Sequence, residues 1–207
     1  MSKKHLIIYG GSSLIAKELI KLMSGKFEKI TIFCRNEKIV REYIKHFENV
    51  EFNLIQVDLI ELEKNIQLIK SITNDIDGLI WIAGHTGDAD LEFKNYKEGK
   101  KNIDVNFLNP ILLINQFIPK FKKDSESFIV GLTSVAGLRG RANRLFYSSA
   151  KSGFIAFLSG LRQKLKNSKI SVITVIPGYM KTIPFEKGGW TAPSFLITNP
   201  QKAAKLI

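Results

Sequence analysis

The sequence predicts an alternating α/β fold in one domain, and three observations carry that reading. Short apolar runs at 5–9, 29–34, 50–57, 77–82, 128–132 and 169–176 read as strands buried on both faces, as in a parallel sheet. Amphipathic stretches separate them, and the first run leads through the glycine turn Gly10-Gly-Ser-Ser-Leu-Ile-Ala16 into a helical pattern. A chain of 207 residues with 44% hydrophobic content is ample for one full core and short for two.

Charge and cysteine usage narrow the function classes. The net charge of +12 favours anionic partners such as nucleotide phosphates or lipid headgroups. The lysines are scattered as solvated helix faces, so no nucleic-acid partner is expected. Cys34 stands alone, which excludes an internal disulfide and fits a reducing, cytoplasmic setting. The run 6–16 superficially resembles a signal peptide, but Gly10 to Ser13 interrupt it and Lys17-Glu18 end it. No uncharged apolar stretch approaches the ~20 residues of a spanning helix, so a transmembrane segment is not expected.

Taken in order, strand 5–9, the glycine turn and the helix beginning at Leu14 and Ile15 make an arrangement that cradles phosphate. Gly10 permits the tight turn, and the free N–H groups around Ser12, Ser13, Leu14 and Ile15 attract an anion. Strand 29–34 ends at Arg35, ahead of a helix at 37–47. An arginine there accommodates a ribose 2′-phosphate, so NADP(H) is favoured over NAD(H). Strand 50–57 closes at Asp58-Leu59, where the carboxylate either accepts from an adenine amine or caps the helix 60–72. Strand 77–82 runs into Ala83-Gly84, small residues that let the backbone approach a bound ring; His85 beside them is a proton-carrier candidate with an ordinary loop histidine as the competing reading. The charged stretch 90–101 reads as a surface helix. A longer helix over 102–121 carries Asn106 among apolar neighbours, with Pro110 bending it. The last strand ends at Pro177-Gly178-Tyr179-Met180-Lys181-Thr182, and 200–207 reads as the start of a helix. No metal-binding cluster is expected.

The chemistry concentrates between Leu132 and Lys151. Ser134 follows a buried strand, Tyr147 comes thirteen residues later, and Lys151 lies one helical turn beyond it in a helix expected over 145–166. A cation fixed beside a phenol favours the phenolate, lowering a pKa ordinarily near ~10 toward the range useful for general acid-base work. Tyr96 and Lys100 share the spacing but have Ala83 where a hydroxyl would be needed, which marks them as a chance pair.

Together these residues resemble the short-chain dehydrogenase/reductase family over nearly the whole chain. GGSSLIA at 10–16, VDL at 57–59, AG at 83–84, VNF at 105–107, TS at 133–134, YSSAK at 147–151 and PGYMKT at 177–182 occur in family order. The resemblance implies a Rossmann-like, doubly wound parallel sheet in three layers, α/β/α, with a nicotinamide cofactor across its carboxyl edge. It implies that Tyr147 exchanges a proton with a carbonyl or alcohol and that Ser134 stabilises the same oxygen. Lys151 would lower the Tyr147 pKa and bind ribose hydroxyls, and Asn106 would hold a water of the proton relay. Gly10, Ser12, Ser13, Leu14, Ile15, Arg35, Asp58, Leu59, Ala83, Gly84, Pro177, Gly178, Met180 and Thr182, with Tyr147 and Lys151, would line the cofactor. Leu14 and Ala16 replace two family glycines, and Trp81-Ile82 replace the usual Asn-Asn. The family normally continues to a further strand, so an incomplete sheet edge or a truncated chain is expected.

The expected reaction is reduction of a ketone, or oxidation of a secondary alcohol, on a small molecule. The stretch 134–144 resembles members that act on sugars or lipid-linked sugars of the cell envelope, including decaprenylphosphoryl-ribose 2-keto reductases, and suggests that Arg139, Arg141 or Arg144 engages a substrate phosphate, with a solvated basic loop as the competing reading. Small residues along the Tyr147 helix suit a homodimer or homotetramer. The competing reading is a catalytically silent NAD(P)-binding sensor or scaffold.

Overall fold

In the computed structural model, which describes residues 3–73, 75–180 and 197–207, six parallel strands form one sheet in the order β3-β2-β1-β4-β5-β6. The strands are β1 His5–Tyr9, β2 Lys29–Cys34, β3 Glu51–Gln56, β4 Gly78–Trp81, β5 Ser127–Leu132 and β6 Ile170–Val175. The order reverses at β1, whose neighbours β2 and β4 are reached by crossovers on opposite faces. Such a switch point opens a crevice at the carboxyl ends of β1 and β4.

Strand alternation divides the core in two. Leu6 and Ile8 point to one face and pack with helix α1 (Leu14–Met23), through Ile15, Leu19 and Ile20, and with α2 (Glu37–Ile44), through Val40 and Tyr43. Ile7 and Tyr9 point to the other. There they meet Ile69 of α3 (Leu62–Ser71), Leu113, Ile114 and Phe117 of α6 (Asn109–Phe117), and Phe154 and Leu158 of α7 (Leu145–Lys164). The result is the doubly wound, three-layer α/β/α domain expected from the sequence. A two-residue pair, β7 (Tyr179–Met180) with β8 (Ile197–Thr198), precedes α8 (Pro200–Lys205), which packs Ala203 and Ala204 into the first core. Among the described residues β3 and β6 form the two sheet edges.

Two stretches depart from the expected elements. The charged stretch 90–101 divides into α4 (Ala89–Lys94) and α5 (Tyr96–Ile103) at Asn95, which ends one helix and accepts from Lys97 N at 3.0 Å to cap the next. The helix expected over 102–121 widens into a π turn at Asp104–Leu108 before α6 begins. Pro110 has no N–H to offer the Asn106 carbonyl four residues back. The chain opens instead to an i→i+5 bond, Asn109 N–H to Asp104 O.

Trp81 keeps β4 regular where the family has a polar residue. It is fully buried and stacks on Tyr9 at 4.2 Å between centroids, while Tyr9 stacks on Phe33 at 4.6 Å. Register pairs Tyr9 with both Phe33 and Trp81, so the three rings form a row across β2, β1 and β4. Trp81 Nε1 has no hydrogen-bond partner among the described residues. Trp81→Ala should therefore cost about 3–5 kcal/mol in urea unfolding. Trp81→Phe, which retains a ring and removes the orphan donor, should cost well under half of that.

Candidate active site

The turn after β1 is built for close approach. Gly10 adopts φ +106°, and a Cβ there would lie 2.5 Å from Ala83 N, so only glycine fits between β1 and the end of β4. Gly10 and Gly11 N–H both donate to Phe33 O, at 2.9 and 3.0 Å, tying the turn to β2. Ser13 caps α1, its Oγ accepting from Ala16 N at 3.1 Å. Ser12 Oγ accepts from Asn36 N at 3.2 Å, which brings the turn beside exposed Arg35. Leu14 is 53% exposed at the helix start, while Ile15 is core, so only the backbone of Ile15 faces the turn.

Asp58 and Leu59 follow β3. Asp58 Oδ1 accepts from Ile60 N at 3.1 Å, a local turn; α3 begins after Glu61, so Asp58 does not cap it. Leu59 O accepts from Asn109 Nδ2 at 2.6 Å, which fastens this loop to α6. Glycine turn, helix start, exposed arginine and the Ala83-Gly84 edge lie along the carboxyl ends of β1, β2 and β4. That chemistry fits a dinucleotide: backbone donors for a pyrophosphate, a guanidinium for a ribose phosphate and bare backbone for a ring.

The catalytic candidates converge at the ends of β4 and β5. Ser134 begins a 3₁₀ turn, its Oγ accepting from Ala136 N at 3.1 Å, and its side chain is close enough to the Tyr147 phenol to oppose the rise in its pKa. Lys151 Nζ lies 5.8 Å from the centre of the Tyr147 ring and donates to Leu132 O at 3.3 Å. A Cβ on Gly84 would sit 2.9 Å from Asn106 Oδ1 and 3.3 Å from Lys151 Nζ, which places the small-residue edge directly against both. Pro177 joins them because Val135 N donates to its carbonyl at 3.0 Å. Gly178 is exposed, and Met180 packs against the first core. Thr182 lies outside the described residues.

One electrostatic expectation is corrected by the geometry. Burial raises the Tyr147 pKa; the Ser134 side chain and the Arg144 charge oppose that without reversing it. The ammonium of Lys151 is over the ring rather than at the phenolic oxygen and spends a proton on a carbonyl, so it does not make this phenol acidic. Burial instead lowers Lys151 itself from 10.5 to about 8. The Asn106 amide is bonded within the protein: its Oδ1 accepts from His85 N at 3.0 Å, and its Nδ2 donates to His85 O at 2.6 Å and Asn102 Oδ1 at 2.7 Å, which leaves for a water the second lone pair of Oδ1 and the backbone carbonyl that Pro110 deprives of its helical donor. His85 is half-buried, and burial lowers its pKa, so the ring is neutral at pH 7.

The sequence reading missed Glu92, placed in a surface helix but 3% exposed, and hydrogen-bonded by Asn102 Nδ2 at 2.5 Å. The available signal was the glycine at 87, whose backbone adopts φ +69° beside it.

A sequence model of the family described as short chain dehydrogenase matches residues 4–187. The chain belongs to the short-chain dehydrogenase family. That is a family of NAD(P)-dependent oxidoreductases. Among curated relatives, a dehydrogenase/reductase SDR family protein 7-like from Dictyostelium discoideum is 28% identical over 193 residues, 86% of this chain and 60% of its own length. An acetoacetyl-CoA reductase from Acinetobacter is 26% identical over 187 residues, 87% of this chain and 75% of its own length. The chain thus spans well short of the full length of both. Among solved structures, a 3-oxoacyl-[acyl-carrier protein] reductase from Brucella melitensis superposes with a TM-score of 0.84 at 19% identity, covering 100% of this chain and 88% of that one. No helix among the described residues is long and apolar enough to cross a membrane.

The buried ammonium has a measurable consequence for the protein without cofactor. Lys151 titrates near 10.5 unfolded and about 8 folded, a difference of about 3 kcal/mol. Below pH 8 both states are charged and the folded state bears the full desolvation cost. Between 8 and 10.5 the folded state releases its proton first, so the unfolded state holds more protons and stability rises with pH. Lys151→Met forfeits one hydrogen bond to Leu132 O, worth ~1 kcal/mol, which the relieved burial outweighs. The variant should melt several degrees above wild type at pH 7, with the gain shrinking from pH 8 upward in a pH series of thermal unfolding curves.

Proposed function

We propose that this protein reduces a ketone with NADPH, Tyr147 supplying the proton. The observation that carries the reading is the convergence of Ser134, the Tyr147 phenol and Lys151, whose Nζ lies 5.8 Å from the Tyr147 ring centre, beside Gly84 at the sheet's carboxyl edge. Because burial raises the phenol's pKa, Tyr147 is protonated at neutral pH and stands as a general acid. Ser134 directs the same carbonyl oxygen toward that proton and stabilises the charge that develops on it. Lys151 holds ribose hydroxyls. Asn106, through His85, keeps the Gly84 backbone in place. Bound NADPH supplies the hydride, and the protein's part is to hold the substrate carbon against it.

Arg35 supports NADPH over NADH, being an exposed cation immediately after β2 and one residue from the Ser12–Asn36 contact. For the substrate we favour a carbonyl compound carrying a phosphate. Arg139 and Arg141 are exposed on the loop between Ser134 and Tyr147, and Arg144 is close enough to act on the phenol. Sugar phosphates, lipid-linked sugars and acyl-CoA thioesters share that feature, and two relatives are named as reductases of acyl thioesters. Along α7, Ser149, Ser152, Ala156, Ser159 and Gly160 remain exposed, which suits pairing with a second copy.

Two measurements test this. In a carbonyl panel that includes acetoacetyl-CoA and phosphorylated keto sugars, Tyr147→Phe should lower kcat by a factor of roughly 100 to 10,000 and leave NADPH affinity within about twofold of wild type. A chain with no turnover to lose, yet tight NADPH binding, is a sensor and defeats the proposal. Arg35→Glu should weaken NADPH at least tenfold by fluorescence titration and leave NADH nearly unchanged, since only the former places a phosphate against the guanidinium. Equal losses for both dinucleotides would remove Arg35 from the ribose site.

A further inference from the structure

Glu92 is a carboxyl group sunk into the protein at the edge of the proposed site, and no step assigned so far uses it. It is 3% exposed, and a Cβ on Gly87 would lie 1.6 Å from its Oε1, so only glycine there admits the carboxyl against the loop backbone. Asn102 Nδ2 donates to Glu92 Oε1 at 2.5 Å, and Asn102 Oδ1 accepts from Asn106 Nδ2 at 2.7 Å. Asn106 then grips both backbone groups of His85, accepting from its N–H at 3.0 Å and donating to its carbonyl at 2.6 Å. His85 follows Gly84, whose α-carbon faces Asn106 Oδ1 and Lys151 Nζ.

The chain of bonds has a polarity. A carboxamide has a donor end and an acceptor end of nearly equal size, and nothing in its shape decides which way it faces. A carboxylate only accepts, so Glu92 forces the NH₂ of Asn102 toward itself and its oxygen toward Asn106. That oxygen in turn takes the Asn106 NH₂, leaving the Asn106 oxygen to meet the His85 N–H. Were Asn102 reversed, its NH₂ would face the Asn106 NH₂, and the grip on His85 would lose its support.

We propose that Glu92 is a positioning residue for the cofactor edge: it sets the orientation of the Asn102 amide, whose oxygen braces the Asn106 amide against the His85 N–H and carbonyl, and so fixes the backbone beside Gly84 and Lys151. Its connection to turnover rests on the reading of Tyr147 and Lys151 given above; its connection to the backbone does not. Burial raises the Glu92 pKa, with the Asn102 hydrogen bond and the Arg144 charge opposing. A protonated carboxyl still offers its carbonyl oxygen to Asn102, and the Thr86 carbonyl, which accepts from Asn102 Nδ2 at 3.4 Å, favours the same orientation.

The test compares wild type, Glu92→Gln and Glu92→Leu, first without ligand by amide hydrogen exchange at His85, then by fluorescence titration with NADPH. The glutamine retains an oxygen acceptor and should stay within about twofold of wild type in both. The leucine should exchange the His85 amide at least tenfold faster and bind NADPH at least fivefold more weakly. Wild-type exchange and affinity in Glu92→Leu, or equal losses in both variants, overturn the proposal. Should Glu92→Leu not fold, Asn102→Leu replaces it: the donor toward Glu92 and the acceptor toward Asn106 are both gone, and the same losses are expected. Wild-type behaviour of Asn102→Leu also overturns it. Tyr147→Phe measured alongside reports on the reaction separately, because its His85 exchange should match wild type whatever its turnover.

Discussion

A buried ammonium without a carboxylate partner is the constraint around which this site is arranged. Lys151 is 4% exposed, and the protein atom that accepts from it is the Leu132 carbonyl. The proposed contact of Lys151 with ribose hydroxyls would give that ion the partners the protein does not. Tyr147 lies under it, Phe154 lies 5.9 Å below, and Gly84 leaves the opening beside it. A protein selected for stability alone would fill the place with an apolar side chain; stability is given up where function needs an unsatisfied group.

The same reasoning explains why the phenol and the ammonium shift in opposite directions from their ordinary values. Burial disfavours whichever form is charged, so it raises Tyr147 and lowers Lys151. Spacing along a helix is blind to this. Tyr-x-x-x-Lys places two side chains on one face, but the angle at which they meet, ring face rather than hydroxyl, comes from the Leu132 carbonyl that draws the ammonium toward β5. A phenol that stays protonated is ready to give a proton, the property on which the proposed carbonyl reduction rests.

Much of the fold was readable because its signals are local. Leu6 and Ile8 against Ile7 and Tyr9 already divide between two cores, and Gly10 sits at the one turn where a Cβ would strike β4. Ser134, Tyr147 and Lys151 were readable for the same reason: a strand end and one helical turn fix their separation. The unread features depend on partners distant in sequence or on departures from regular helix. Glu92 lies in a stretch whose average charge describes a surface, and a single residue turning inward leaves the average unchanged. Pro110 announced a bend, yet whether a helix kinks or widens depends on which carbonyl finds another donor, and here Asn109 provides it.

The family departures fall where three-dimensional compensation is available. Trp81 replaces a polar side chain with a ring, and the row Phe33, Tyr9, Trp81 becomes an apolar floor beneath the carboxyl edge. Tyr9 remains the polar handle of that row, its hydroxyl donating to Asn65 Oδ1, while Asn65 Nδ2 donates to the Asp58 carbonyl at 2.7 Å. The loop after β3 is thus secured through an aromatic on β1, just as the loop after β4 is secured through Asn106. The loops after β3 and β4 are held by buried amides reaching from a helix to backbone carbonyls: Asn65 for Asp58, Asn109 for Leu59, Asn106 for His85. A buried amide satisfied at both ends is costly to displace, so these asparagines make the rim rigid without placing any of their own atoms in the cleft.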